Sequence, residues 1–192
     1  GAFDVWEWFS EVNIPVWESS GGSRRLDTNV AVRQSDYSHS GKIDSWKIGA
    51  ELQFNDDVRF RVTKSRDVRD PTFGEQFEYG GGGANINDPV TNTSYTTTQA
   101  VGGNPKLVPE SADTLTIGFV YTPNFLQGFQ ASADWYEIEV EDLVETLGVQ
   151  RIVDDCFRGN PAMCAYVTRG AAGTVENVFN ANQNVAAART AG

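Results

Sequence analysis

In the run Trp46-Lys47-Ile48-Gly49-Ala50-Glu51-Leu52-Gln53-Phe54 every even position is apolar and the odd positions are Lys, Gly, Glu and Gln. A repeat of two belongs to a strand with one apolar and one polar face; a helix, whose faces recur every 3.6 residues, cannot carry it. Val58, Phe60 and Val62 then alternate with Arg59, Arg61 and Thr63, and Asn55-Asp56-Asp57 between the two runs reads as a tight turn. Together they predict a β-hairpin. Upstream, Trp6, Trp8, Val12, Ile14 and Val16 share one parity, and Leu26, Val30 and Val32 share one beyond the turn Ser19-Ser20-Gly21-Gly22-Ser23. Downstream, Leu115, Ile117, Phe119 and Tyr121 are followed, after a turn begun by Pro123-Asn124, by Phe129, Ala131, Ala133 and Trp135. Past Trp135 the apolar parity flips to Tyr136, Ile138 and Val140, which either a one-residue bulge or a change of surroundings along one strand produces. The chain is therefore predicted to be all-β, with six strands and a faint seventh near residues 175 to 187.

The connections come in two lengths. Those near residues 17–24, 55–57 and 123–128 are short, those at 67–111 and 145–174 are long, and Tyr37-Ser38-His39-Ser40-Gly41 is a small loop with His39 in solvent. Short turns at every second connection put them all at one end of an antiparallel up-and-down meander, with the long loops at the other. That asymmetry is typical of outer-membrane barrels. With 40% apolar residues the chain has no unbroken run long enough for a spanning helix, whereas a spanning strand has a far weaker signal and is not excluded. A soluble all-β extracellular binding or adhesin-like module shows the same alternation and stands as the rival.

Charge and composition remove other classes. Lys plus Arg is 15 and Asp plus Glu is 26, a net charge of −11 that argues against a nucleic-acid partner. One histidine and two cysteines without CxxC spacing predict no metal centre, and no cofactor is assigned. Gly80-Gly81-Gly82-Gly83 lacks the Lys-Ser/Thr and the following helix of a phosphate cradle and reads as flexible loop; Asn92-Thr93-Ser94 is a glycosylation sequon without a secretory context. The acidic residues are scattered and no serine elbow or carboxylate pair stands out, so no catalytic residue is assigned and the chain is read as no enzyme. The first residues carry neither an initiator Met nor a basic and apolar leader, which predicts a processed or excised piece of a larger protein.

The run from Phe60 to Phe73, with Arg66-Asp67-Val68-Arg69-Asp70-Pro71, and the block Gly103-Asn104-Pro105-Lys106-Leu107-Val108-Pro109-Glu110-Ser111 resemble the C-terminal half of a TonB-dependent outer-membrane receptor. Glu11-Val12-Asn13-Ile14-Pro15-Val16 and Ser35-Asp36-Tyr37-Ser38 are similar to it too, and Asp70 departs from the Ala more usual there. The resemblance implies a partial segment of a transmembrane β-barrel with long loops at one end, in the outer membrane of a Gram-negative bacterium. It implies as partners the rest of the parent barrel and its plug, the TonB complex acting through that plug, outer-membrane lipid and a small-molecule ligand. The ligand classes implied are siderophore, cobalamin or oligosaccharide. No plug is found in these residues, so residues 1–192 are expected to form barrel wall and outside loops only.

Within that frame, Arg59, Arg61 and Glu51 are expected on the lumen-facing side, where the arginines attract an anionic ligand, hold acidic plug residues, or pair with wall carboxylates. Phe73, Phe77, Tyr79 and Tyr95 lie in the longest loop, either to stack on a ligand or to pack the loop against itself. The tryptophans read as lipid-interface anchors or apolar wall. Cys156 and Cys164 are expected to close a local disulfide, the alternative being two unpaired thiols.

Overall fold

The computed structural model describes residues 4–185 and 187–192. In chain order its elements are β1 (Val5–Glu18), β2 (Arg25–Tyr37), β3 (Gly41–Gln53), β4 (Val58–Arg69), α1 (Phe73–Phe77), β5 (Tyr79–Asp88), β6 (Thr93–Gly102) and β7 (Glu110–Tyr121). There follow β8 (Ala131–Glu141), β9 (Leu143–Thr146), α2 (Val149–Phe157), α3 (Pro161–Cys164), β10 (Val167–Arg169), β11 (Val175–Val185) and β12 (Ala188–Ala191). They gather into two units. The first takes in the chain up to Asp70, Pro109–Asp142 and the C-terminal strand; the second is built from the two long connections, Pro71–Val108 and Leu143–Val185.

The first unit is one seven-stranded sheet in the order β1-β2-β3-β4-β7-β8-β12, antiparallel throughout. Its period of two becomes two faces. One row across the sheet reads Leu26, Leu52, Phe60, Phe119, Ala133, and the next, pointing the other way, reads Glu51, Arg61, Gly118, Asp134. The short turns share one end. The Asn55 side-chain oxygen accepts from the backbone of Asp57 (3.0 Å) and Val58 (2.8 Å), and the Asp57 carboxylate accepts from the Asn124 backbone of the neighbouring turn (3.0 Å).

One register corrects the sequence reading and another decides between its two alternatives. In β1 the pairing slips between Pro15 and Trp17, so Trp17 pairs with Leu26 and joins the apolar face while Val16 sits in the bulge. In β8 the pairing with β7 runs unbroken from Ala131 to Glu141, so the parity flip after Trp135 is not a bulge. It marks a change of surroundings: beyond Trp135 the apolar face of the sheet carries Glu137 and Glu139, in line with Asp113, Arg66 and Lys64.

The second unit replaces the expected flexible loop with a packed body. Residues 67–111 hold α1 and the β5–β6 hairpin, and Gly80 to Gly83 lie in regular strand paired with Gln99, Ala100 and their neighbours. A second sheet runs β10-β11-β6-β5, with β11 parallel to β6, a departure from the antiparallel plan, and β9 pairing with the far part of β11. The faint seventh strand thus exists as β11 but belongs to the loop unit, and β12 takes the expected place beside β8. Its core is Ile86, Val149, Ile152, Val153, Val175 and Val178, to which α2 contributes Val149, Ile152 and Val153 at the i, i+3, i+4 spacing of one helical face.

Candidate functional site

Four features hold the loop unit in one shape. Helix α1 is only five residues long and too short to persist by itself. It opens with a capping box, Glu75 N–H donating to Thr72 Oγ1 (3.3 Å) and Thr72 N–H to Glu75 Oε2 (2.7 Å). The Glu75 carbonyl accepts from the Asn104 backbone (3.0 Å) and from Asn182 Nδ2 (3.0 Å). Gly103 lies against the helix so closely that a Cβ there would stand 2.4 Å from the Gln76 carbonyl carbon and the Phe77 nitrogen.

Asn182 belongs to a set. Asn180, Asn182 and Asn184 recur every second residue on β11, and each clips backbone: Asn180 Oδ1 accepts from Gly148 N–H (3.2 Å), and Asn184 donates to Val108 C=O (2.9 Å) and accepts from its N–H (3.0 Å). Asn104 Nδ2 donates back to the Asn182 carbonyl (3.0 Å). The Gly103-Asn104 pair is therefore a backbone docking site for α1 and β11.

A buried ion pair fastens the far end. Arg169 grips Asp88 with both amino groups, Nη1 to Oδ2 at 2.7 Å and Nη2 to Oδ1 at 2.9 Å, and Tyr95 Oη donates to Asp88 Oδ2 at 2.6 Å. Asp88 is 1% exposed, and the Arg169 guanidinium holds its carboxyl far below the usual carboxylate range, with the Tyr95 hydroxyl adding to the effect. Burial first, and Asp88 second, push the Tyr95 phenol up. Cys156 and Cys164 are joined in a disulfide between α2 and α3.

These placements sort the candidate aromatics. Phe73 (56% exposed) and Tyr79 (76%) stand in solvent, and Phe73 lies 5.1 Å from the half-buried Phe77, centroid to centroid, so both sit on the pinned helix. Tyr95 follows the packing alternative: it packs on the core, donates to Asp88 and accepts from the Val175 backbone (2.6 Å), which commits its one O–H inside the unit. Asp88, Arg169, Asn180, Asn182 and Asn184 escaped the sequence reading; the alternate-residue spacing of the asparagines was the one visible signal.

On the polar face of the first unit the arginines have wall partners. Arg59 pairs with Glu51 (3.2 Å), Arg61 with Asp134 in a bidentate bridge (Nε to Oδ1 3.0 Å, Nη2 to Oδ2 2.7 Å), Lys47 with Glu11 (3.6 Å), and Arg33 with Glu7. Gly118 makes room for the bridge, since a Cβ there would stand 2.2 Å from Asp134 Oδ1 and 2.5 Å from Arg61 Nε. His39 lies beside the Ser38 hydroxyl (3.1 Å). The opposite face is an uncovered apolar band that includes Val12 (51% exposed), Ile48 (49%), Phe60 (43%) and Ile117 (49%). In a soluble sandwich a second sheet would cover such a face; water tolerates so broad a patch poorly, and lipid is its natural solvent. No helix among the described residues is long and apolar enough to cross a membrane, so any crossing is by strands.

Comparison with known proteins agrees. The chain is similar to the siderophore receptor PirA from Pseudomonas aeruginosa (TM-score 0.68, 14% identity, covering 99% of this chain and 30% of that one). It is also similar to PirA from Acinetobacter baumannii (0.64, 17%, 98% and 24%). A mutant ferric enterobactin receptor, PfeA, from Pseudomonas aeruginosa in complex with enterobactin is a third (0.69, 15%, 98% and 23%). At such identities the likeness carries the fold, and the chain spans only 23 to 30% of those receptors' length. Curated protein sequences give no match. The family described as TonB dependent receptor-like, beta-barrel matches residues 1–192 in full. With the two-faced sheet, the short and long ends and the solved neighbours in agreement, this chain belongs to the TonB-dependent receptor β-barrel family, whose barrels reside in the Gram-negative outer membrane.

Proposed function

We propose that the chain supplies wall strands and an outside-loop unit to a receptor that captures a ferric siderophore and imports it, with energy reaching a plug in the rest of the parent through TonB. The observation that carries the reading is the Phe73–Phe77 pair, two rings 5.1 Å apart, one of them 56% exposed, on a helix held by Asn104, Asn182 and the close approach of Gly103. A fixed aromatic surface binds planar or apolar ligand groups with little ordering cost. The solved neighbours are siderophore receptors, one of them in complex with enterobactin, which favours a siderophore over cobalamin or an oligosaccharide. The soluble-module alternative leaves the apolar band of the first unit unexplained.

In the full-length receptor, Phe73→Ala and Tyr79→Ala are each expected to weaken binding of ferric enterobactin, used as probe, by roughly 5- to 10-fold, the loss of one aromatic contact. The fold should be unchanged, since both side chains are exposed. Binding and uptake are measured separately; unchanged affinity in both variants would move ligand capture to other loops. Deleting Gly80 to Gln99, the test a flexible loop would invite, is unsuitable because it removes nearly all of β5, most of β6, the core residue Ile86 and Tyr95 packed against that core.

A further inference from the structure

The sheet of the outside unit ends at β5, which is paired along its length with β6 on one side only. In an antiparallel strand the N–H and C=O of one residue point to the same side, and the side alternates along the chain. Asn87 shows which residues point away from β6. Its N–H donates to Gln150 Oε1 (2.8 Å) and its C=O accepts from Gln150 Nε2 (2.9 Å), so one side-chain amide does for Asn87 what a residue of a further strand would do. Gln150 is braced on α2 by a second bond from Nε2 to Asp154 Oδ1 (2.8 Å).

By alternation, Asn85, Gly83, Gly81 and Tyr79 direct their backbone groups to that same open side, and among the described residues none of these groups has a hydrogen-bond partner. Proteins normally blunt such an edge with charge, proline, a bulge or a covering element. From Tyr79 to Asn85 there is no charged residue and no proline, and the register with β6 is regular. The four glycines also remove the side chains that would hold a neighbouring backbone away.

We propose that Tyr79 to Asn85 is an acceptor edge for strand addition, and that its occupant is an extended segment from another outside loop of the same receptor. Solved receptors of this fold are three to four times longer than this chain, which covers 23 to 30% of them. Each further strand pair of such a barrel brings another outside connection. A segment tethered in the same molecule meets the edge at a far higher effective concentration than any free peptide. Gln150 closes one end of the edge, so the added strand lies beside Asn85, Gly83 and Gly81 and stops at α2. The proposal rests on the barrel reading and is independent of the ligand.

The test is residue-resolved amide exchange on the full-length receptor in lipid nanodiscs at two protein concentrations. The Gly80, Gly82 and Ala84 amides, which face β6, serve as internal reference. Gly81, Gly83 and Asn85 are expected to be slowed roughly 100-fold or more at both concentrations. Fast exchange at these three beside a protected reference overturns the proposal, and protection that appears only at the higher concentration assigns the edge to a second copy and overturns it as well. Asn85→Pro removes an outward N–H without breaking the β5–β6 ladder. It is expected to release Gly81 and Gly83 together with one segment elsewhere in the receptor, which identifies the occupant. Release of the edge with no second segment affected rejects an occupant from the same chain.

Discussion

Single residues in the outside unit carry more of its structure than their chemistry suggests. Gly103 has no Cβ because α1 occupies the space, and its neighbour Asn104 spends backbone and side chain on the helix and on β11. Gly103→Ala is expected to push α1 outward and destabilise the unit by about 1–3 kcal/mol, the usual scale of an overpacked contact. The increase would be read as protease sensitivity near Phe73 to Phe77 in the full-length receptor. Asp88 makes a second prediction. Its carboxyl is held low in the folded unit and returns to about 3.9 on unfolding, so the pair's contribution is complete above the unfolded value and is lost as pH falls toward the folded one. Protease resistance of the unit should accordingly be the same at pH 7 and pH 5 and decline only in stronger acid. Asp88→Asn strands the Arg169 charge; because Arg169 keeps 26% side-chain exposure, the cost is set at about 2–3 kcal/mol, below that of a fully buried pair. Equal resistance of wild type and Asp88→Asn at pH 7 would show the pair to be energetically idle.

At the scale of elements, strand β3 makes the sharpest statement. Leu52 sits on the apolar face between Leu26 and Phe60, two residues from Ala50 at the centre of the apolar run and one from the end of β3, while Gln53 beside it faces the charged side. Leu52→Arg, off the middle of the band, is expected to cost about 1–3 kcal/mol of barrel stability in bilayers, and Gln53→Arg little. Ile48→Arg should cost about as much as Leu52→Arg, because Ile48 lies two residues from Ala50 on the other side, in one row with Val30 and Val12. Urea unfolding of the parent in lipid vesicles orders the three variants; equal costs at Leu52 and Gln53 would refute the two-faced reading. The wall strands were legible in the sequence because a half-apolar strand writes its period of two directly into residue order. The loop unit was not. Its sheet mixes parallel and antiparallel neighbours drawn from segments some 80 residues apart, such as Thr97 and Val175. Its glycines sit in a strand where composition speaks for a flexible loop, and its stability comes from asparagine clips that have no hydropathy signal. For the same reason the residue order could not choose between stacking and packing for Tyr95: only the fold brings Asp88 and Val175 to its hydroxyl.

For the whole molecule, the family assignment and the two faces of the seven-stranded sheet together imply that one face meets lipid and the other meets water. The charge pairs Arg59–Glu51, Arg61–Asp134 and Lys47–Glu11 all lie on the second face, and the exposed Ile48, Phe60 and Ile117 on the first. The family assignment places the sheet in a barrel, and the outside unit occupies the connections after β4 and β8. The most direct measurement is a spin-label scan of residues 46 to 54, one position at a time, in the full-length receptor reconstituted into bilayers. Collision rates would be recorded with oxygen, which concentrates in lipid, and with a water-soluble nickel chelate. Oxygen access is expected to peak at positions 46, 48, 50, 52 and 54 and nickel access at 47, 49, 51 and 53, in a repeat of two along the strand. A scan without that repeat, or one in which the even positions are closed to both probes as in the core of a soluble sandwich, would contradict the account.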